Sequence, residues 1–166
     1  MRTTLVGRRP ALAARWAVEF WGQVRGDEPA YLLNFDANQP AFIYGFAPAE
    51  LALYAAPPSQ PGQSTTGGPV VTDAQWHHVL WVYYGDGVTG IADGADIYFD
   101  GVKLANVRNT FSSPLDLLGS LTVGGSSPGY DGFKGRLDEV AVYDLGHLPD
   151  VAAITAKVEQ LVASHY

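Results

Sequence analysis

The sequence predicts an all-β fold, a two-sheet antiparallel jelly-roll sandwich with one C-terminal α-helix. Short apolar runs alternate between two faces at close intervals along most of the chain. Glycine and proline, 19 and 11 of the 166 residues, supply turns between these runs. Helical periodicity appears only at the end, and no helices alternate with the strands. The pattern therefore indicates one β-sandwich domain and excludes nucleotide-binding α/β folds.

The first well-defined strand starts after Arg15, where apolar side chains alternate. Trp16, Val18 and Phe20 fall on one face, and Glu19 and Trp21 fall on the other. The stretch 75–84 is apolar on both faces, which predicts a central strand. About nine strands are expected in all, with the others at 31–35, 41–47, 51–55, 97–99, 102–104, 121–124 and 135–143.

Turns and the terminal helix follow from local residue types. Asp100-Gly101 predicts a two-residue hairpin, because this pair tolerates the positive φ angles that match strand twist. Residues 56–69 have almost nothing to bury and are expected to form an exposed loop. From Pro149 to about residue 164 the apolar positions follow a helical spacing, at Val151, Ile154, Val158, Leu161 and Val162.

Charge divides the chain unevenly. The formal net charge is −7, yet residues 1–25 carry five arginines and one acid, giving +4, and the remainder carries 5 basic and 16 acidic residues, giving −11. An acidic chain excludes a nucleic-acid binder that relies on phosphate neutralisation, and no apolar run approaches the roughly 18 residues of a membrane span. The predicted organisation is a basic arm or edge strand at 1–15, a sandwich at 16–146 and an amphipathic helix at 147–166 that packs on the sandwich or on a neighbouring subunit.

Five segments in order carry a family resemblance: WAVEFW at 16–21, WHHV at 76–79, IYFDG at 97–101, LTVGG at 121–125 and FKGRLDEVAVY at 133–143. Together they resemble the laminin-G-like, concanavalin A-like jelly-roll family. The resemblance implies two packed antiparallel sheets and, in many members, glycan or protein recognition on the concave face or rim loops. Such domains usually begin with an extra strand that residues 1–14 do not show, so either the arm replaces it or another chain covers the sheet edge.

Glycoside hydrolases share this broad fold, so a catalytic carboxylate pair has to be tested. Retaining enzymes need two carboxylates on one face, roughly 5 Å apart. The Glu-x-Asp-x-x-Glu segment that resembles those enzymes is missing, and Asp138 and Glu139 are adjacent in a strand, so they are expected to point to opposite faces. The expectation is a protein that is not an enzyme, with a glycoside hydrolase as the less favoured alternative.

No cofactor or metal site is expected from the cysteine and histidine pattern. The chain has no cysteine; His77 and His78 are expected on opposite strand faces, and His147 and His165 lack any ligand spacing. Calcium is the one open alternative, because related domains hold it at the sandwich rim with aspartates and carbonyl oxygens. Asp36 is the candidate for that role.

Four aromatic side chains are the candidates for ligand contact. Trp81, Tyr84 and Tyr98 lie on strands whose second face is open unless another element covers it, and sugar rings stack on such surfaces. Tyr130 lies in a glycine-rich loop with little to pack on. These residues define the predicted binding surface.

The functional expectation combines the fold with the chain's other features. Such domains mostly work outside the cell, whereas the sequence starts at Met1 without a secretion signal and has no disulfides. A virion location reconciles these facts. We expect a non-catalytic structural or adhesion domain on a phage particle, in a tail, fibre or capsid decoration, that binds virion subunits or its own copies and also host surface glycans. The alternative is a carbohydrate-binding module of a secreted bacterial protein.

Overall fold

In the computed structural model, the architecture is described for residues 3–5, 15–25, 30–35, 41–46, 50–55, 63–68, 73–85, 94–105, 108–109, 121–124 and 134–166. Twelve strands in two antiparallel sheets and one C-terminal helix lie within these ranges. The predicted fold class is confirmed.

One sheet has seven strands, in the order β1-β11-β3-β4-β5-β6-β10. Three of its strands are short edge or near-edge segments, and the central four, β3 to β6, are consecutive in the chain and form an antiparallel meander. The bounds are β1 Thr3–Leu5, β3 Ala30–Phe35, β4 Ala41–Phe46, β5 Glu50–Ala55, β6 Gln63–Gly67, β10 Arg108–Asn109 and β11 Leu121–Val123.

The other sheet has five strands, in the order β12-β2-β7-β8-β9. Its strand β7 lies in the centre, which confirms the prediction from its two apolar faces. The bounds are β2 Trp16–Val24, β7 Trp76–Gly85, β8 Gly94–Phe99, β9 Val102–Lys103 and β12 Gly135–Asp144.

The main core lies between the sheets. The inner face of the five-stranded sheet contributes Trp16, Val18 and Phe20 from β2, as their alternation predicted, and they meet Leu33 and Leu121 of the seven-stranded sheet. Trp16 stacks on Tyr83 with ring centroids 5.1 Å apart. Burial of each large apolar side chain contributes about 1.5–3 kcal/mol, so this layer holds the two sheets together.

The outer face of the five-stranded sheet carries the helix α1, Val151–Ala163. Ile154, Val158 and Leu161 are its buried residues, and they pack on a second apolar cluster that includes Leu80 and Val82. Asp150 caps the helix by accepting a hydrogen bond from the Ala153 N–H at 2.9 Å. The helix thus packs on the sandwich of its own chain, at the predicted position.

The hairpin between β8 and β9 has the predicted turn. Asp100 has a φ of 47° and Gly101 a φ of 79°, the left-handed pair of a tight hairpin turn. Phe99 pairs with Val102 directly across it. The hairpin prediction is confirmed.

Two features differ from the sequence expectations, the segment at 56–69 and the number of strands. The predicted loop at 56–69 contains β6, which pairs with β5 over five residues and buries Thr66, because β-branched threonines suit a strand even without an apolar run. Within the described residues there are twelve strands instead of about nine, and the additional ones are β1, β6 and β10. The stretch 1–15 was expected as an arm or edge strand, and its residues 3–5 form the edge strand β1, which pairs with β11.

Candidate functional site

The candidate site lies on the outer face of the five-stranded sheet, at the end that α1 leaves uncovered. Strand register builds it in two cross-strand rows. In the outermost row Arg136 pairs with Gln23, and Gln23 pairs with Trp76. The next row has the same order of strands and contains Asp138, Trp21 and His78.

The last residues of the chain lie over the second row. After α1 the Ser164 N–H donates to the Gln160 carbonyl, and the chain continues to His165 and Tyr166. The His165 ring lies 4.4 Å from the His78 ring, and the Tyr166 ring lies 6.3 Å from that of Trp21, centroid to centroid. The tail therefore forms part of the surface at this end.

Gly101 makes room for the tail. A Cβ atom at this position would lie 2.9 Å from Cε2 of Tyr166, closer than real side chains approach. The positive φ that the hairpin turn requires and the close approach of the Tyr166 ring thus both favour glycine. The absence of a side chain at Gly101 therefore lets the Tyr166 ring lie against the hairpin turn.

A buried polar cluster lies beneath the tail. Glu19 is 4% exposed and His78 is fully buried. Glu19 Oε2 lies 3.5 Å from His78 Nε2 and 3.3 Å from His165 Nε2, while the Tyr143 hydroxyl donates to Glu19 Oε1. Glu19 Oε2 and both ring nitrogens of His78 have no hydrogen-bond partner among the described residues. A buried polar group without a partner is costly, so these atoms call for a functional explanation.

The surroundings of Glu19 favour its charged form. Burial raises the pKa of this carboxyl, but His78, the Tyr143 hydroxyl and the charge on His165 together outweigh burial and hold the pKa below its usual value. Burial, together with the contact to Glu19, raises the pKa of Tyr143 above its usual value. The cluster thus holds a carboxylate in a place that is almost free of water.

The two ends of the outermost row are exposed, and its middle residue, Gln23, is half-buried. Trp76 is 39% exposed and Arg136 is exposed. The Gln23 Nε2 donates to the Ala74 carbonyl at 2.6 Å, which fixes the plane of its amide. Next to Arg136 is a cavity of about 240 Å³ lined by Arg25, Lys134, Gly135 and Arg136. Three cationic side chains therefore line this cavity.

His77 points away from this surface, as the alternation predicted. Its Nδ1 lies 2.7 Å from Asp100 Oδ2 and its Nε2 lies 3.2 Å from Asp73 Oδ1. Burial lowers the pKa of His77, but the two carboxylates outweigh this and raise the pKa overall. The arrangement holds the Asp100 turn against the start of β7, because Asp100 Oδ1 also accepts from the His78 N–H at 2.9 Å.

The predicted ligand-binding aromatics are not brought together on an open surface. Trp81 is fully buried in the main core, and Tyr84 is 2% exposed beneath α1. Tyr98 is half-buried and packs against the same apolar cluster beneath α1. No sugar could stack on Trp81 or Tyr84, because the core and the helix occupy their faces. Tyr130 and Asp36 lie outside the described residues.

A β-bulge changes the expected geometry of the two acids in β12. The register shifts between Asp138 and Ala141, and Glu139 adopts a φ of 48°. The Glu139 carboxylate consequently reaches His165, with Oε2 3.7 Å from Nδ1. The simple opposite-face alternation expected for Asp138 and Glu139 does not hold here, because the extra residue of the bulge re-aims the side chain.

Sequence reasoning missed His165 and Tyr166 as parts of one site with His78. The three residues lie far apart in the sequence, so they form no recognisable ligand-spacing motif. The signal that was available is the length of α1, Val151–Ala163, which ends just before His165 and Tyr166.

The chain can now be compared with known proteins. Residues 6–147 match a laminin-G-like family model described as the concanavalin A-like lectin/glucanases superfamily. The chain belongs to this superfamily. The sequence matches no curated protein closely enough to count as a relative. Among the described residues, no helix is long and apolar enough to cross a membrane.

Several solved structures share the superfamily fold. Domains LG4-5 of the mouse laminin α1 chain match with a TM-score of 0.62 at 14% identity, over 86% of this chain and 39% of that one. Domain 4 of the GH43 extracellular arabinanase AbnA from Geobacillus stearothermophilus, solved with arabinotriose, matches with a TM-score of 0.53 at 19% identity, over 84% and 64%. The ligand-binding domain of botulinum neurotoxin serotype D, solved with N-acetylneuraminic acid, matches with a TM-score of 0.65 at 8% identity, over 98% and 40%. This chain spans less than two thirds of each of these, and at such identities the likeness concerns the fold.

Proposed function

We propose that the protein is a non-catalytic adhesion domain that binds acidic glycans at the open end of the outer face. The observation that carries the proposal is the exposure of Trp76 and Tyr166, at 39% and 66%, on this one end. Trp16, Trp81, Tyr83 and Tyr84, by contrast, are buried in the sandwich or under α1. Exposed aromatic rings that lie together at one end of a sheet are typical of ligand-binding surfaces.

The residues around the two rings suit a sugar. Pyranose rings stack their apolar C–H faces on aromatic side chains, and a few fixed polar groups then orient the hydroxyls. Gln23 and Arg136 lie in one row with Trp76, and the Gln23 amide is already held by the Ala74 carbonyl. Gln23 Oε1 is buried, so the exposed guanidinium of Arg136 is the group of this row that would orient the sugar.

The charge at this end favours an acidic sugar. Arg25, Lys134 and Arg136 line the 240 Å³ cavity that opens beside the row. A guanidinium binds a carboxylate through two parallel hydrogen bonds, which gives both strength and orientation. The overall charge of −7 would otherwise repel an acidic ligand, so the cationic end determines where it binds. The arabinanase domain and the neurotoxin domain, solved with an arabinotriose and a sialic acid, support the use of this fold for glycans.

A binding role suits the carboxylates better than hydrolysis. Glu19 is enclosed by the tail and β12, so its carboxylate lies beneath the aromatic surface. The Asp138 carboxylate accepts a hydrogen bond from the Glu139 N–H within the bulge. Glycoside hydrolysis needs two carboxylates that flank one bond, and these acids serve other contacts.

The display of this domain on a phage particle stays a prediction from the sequence, and a module of a secreted bacterial protein stays its alternative. Immunogold labelling of particles from a producing strain separates the two. Label on a tail, fibre or capsid supports the virion setting, and label confined to the culture supernatant contradicts it.

The binding test uses calorimetric titration with acidic and neutral oligosaccharides of equal length. We expect preference for the acidic set. We expect Trp76→Ala to weaken binding about 30-fold, the effect of losing a central aromatic contact worth about 2 kcal/mol. Arg136→Ala should reduce the preference for the acidic sugar, and Lys157→Ala, which removes a cation on α1 that contacts Gln160, should change nothing. The proposal fails if no oligosaccharide binds, or if Trp76→Ala and Lys157→Ala behave alike.

A further inference from the structure

We propose that Glu19, His78 and His165 form a binding site for one divalent transition-metal ion of the zinc class. The three residues come from β2, β7 and the C-terminal tail, and each offers one ligand atom within 4.8 Å of the other two. The site lies beneath the aromatic surface and stands independently of glycan binding.

Both distances from the carboxylate to the histidine nitrogens fit a tetrahedral ion. Zinc bonds to imidazole nitrogen and carboxylate oxygen are about 2.0–2.2 Å, which places neighbouring ligand atoms about 3.3–3.5 Å apart. Glu19 Oε2 lies 3.3 Å from His165 Nε2 and 3.5 Å from His78 Nε2. Small side-chain rotations would bring the three atoms around one ion.

Unpartnered atoms point to a ligand independently of these distances. His78 is fully buried, and neither of its ring nitrogens has a hydrogen-bond partner among the described residues. The same is true of Glu19 Oε2, although Oε1 of the same carboxylate accepts from Tyr143. Buried polar groups are almost always paired, so a nitrogen and an oxygen that face each other without a hydrogen bond fit coordination of a shared ion.

Two neighbours would orient the ligands. Tyr143 holds Oε1 and leaves Oε2 directed at the histidines. Glu139 Oε2 lies 3.7 Å from His165 Nδ1, the side of the ring opposite the ligating nitrogen. Metal-ligating histidines usually donate their other N–H to such a carboxylate. The strained backbone of Glu139, with a φ of 48° in the bulge, gains a role because the bulge brings this carboxylate to His165.

The donor set selects the kind of ion. Two imidazole nitrogens and one carboxylate oxygen suit Zn²⁺, Co²⁺ or Ni²⁺, whereas Ca²⁺ and Mg²⁺ prefer shells made of oxygen atoms. Three protein ligands leave a fourth position for water. The bound ion would fix the tail, and therefore Tyr166, to the sheet.

The test uses the full chain, stripped with EDTA and titrated with Co²⁺, whose visible absorption reports tetrahedral nitrogen and oxygen ligation. We expect one ion per chain, displaced by Zn²⁺ and not by Ca²⁺. His165→Ala should weaken binding by at least about 100-fold and Glu139→Gln by about 10-fold, in line with the loss of a ligand and of an outer partner. His165 lies on the tail, so its removal leaves the sandwich core intact.

Two histidines outside the cluster provide matched controls. His147→Ala removes an exposed histidine, and His77→Gln removes one on the opposite strand face; neither should alter Co²⁺ affinity. The proposal is overturned if Co²⁺ shows no stoichiometric tetrahedral spectrum, if His147→Ala weakens binding as much as His165→Ala, or if Ca²⁺ displaces Co²⁺. In the first of these cases the cluster is a metal-free ion-pair network.

Discussion

Docking of α1 on the outer face can be tested at Ile154. This side chain is fully buried against the apolar cluster that includes Leu80 and Val82. Ile154→Ala removes three carbon atoms and leaves a cavity, since strands β2 and β7 are held in register by their neighbours and cannot close it. Substitutions of this kind cost 2–5 kcal/mol, and about 3 kcal/mol is expected for a side chain that a helix presses onto a sheet.

The expected loss of stability is large enough to measure, and the Ile154→Ala variant should still be folded at room temperature. In a domain of 150–250 residues each kcal/mol shifts Tm by about 2–4 °C, so Ile154→Ala should lower Tm by about 6–12 °C. Thermal unfolding followed by circular dichroism measures this shift, and urea unfolding gives the free energy directly.

Glu159→Ala is the matched control on the exposed side of α1, and it should change the free energy of unfolding by less than about 0.5 kcal/mol. The docking would be refuted if Ile154→Ala destabilised the chain no more than Glu159→Ala. In that case the helix would not cover the sheet, and the tail residues His165 and Tyr166 would lose their fixed place over the second row.

Two further predictions concern His77, on the inner strand face, and Tyr143, beside Glu19. Both are measured in EDTA so that no metal ion contributes to stability. Because Asp100 and Asp73 raise the pKa of His77, their stabilisation is fully present below the ordinary histidine pKa of about 6.5 and is lost as the pH rises through the raised value. His77→Gln should therefore destabilise the protein by up to about 1 kcal/mol near pH 5.5 and by less near pH 9. Urea unfolding of the wild type and the variant at both pH values measures this. A loss of stability that is equal at the two pH values, or larger near pH 9, would contradict the prediction. Tyr143→Phe removes the hydroxyl that donates to the buried Glu19 carboxylate. The substitution should lower the free energy of unfolding, measured with urea at neutral pH, by about 1.5–3 kcal/mol. A change below about 0.5 kcal/mol, the usual scatter of surface substitutions, would show that the contact is not formed.

Much of the fold could be predicted because local residue patterns decide it. The alternation in β2 assigned Trp16 and Phe20 to the core and Glu19 to the other face, and the structure agrees. The pair Asp100-Gly101 predicted the hairpin turn, since few residue pairs accept two positive φ angles. The spacing of Ile154 and Val158 identified the helix and the face that it buries.

The candidate site was less predictable because tertiary contacts form it. Alternation shows that Tyr84 and Trp81 lie on opposite faces of β7 but does not show that α1 covers one face and the second sheet covers the other. The meeting of His78 with His165 depends on the path of α1 across the sheet. The bulge at Glu139 inserts one residue and leaves no mark on hydrophobic periodicity, so the contact with His165 required a structure.

The central claim is that the open end of the outer face binds acidic glycans through Trp76 and Arg136. The most direct test compares the affinities for an acidic and a neutral oligosaccharide. Titration of the wild-type chain and of Arg136→Ala with a matched acidic and neutral oligosaccharide gives four dissociation constants. The account predicts tighter binding of the acidic sugar by the wild type and a smaller preference for it in Arg136→Ala. Equal affinities in the wild type, or a preference that is unchanged in Arg136→Ala, would contradict it.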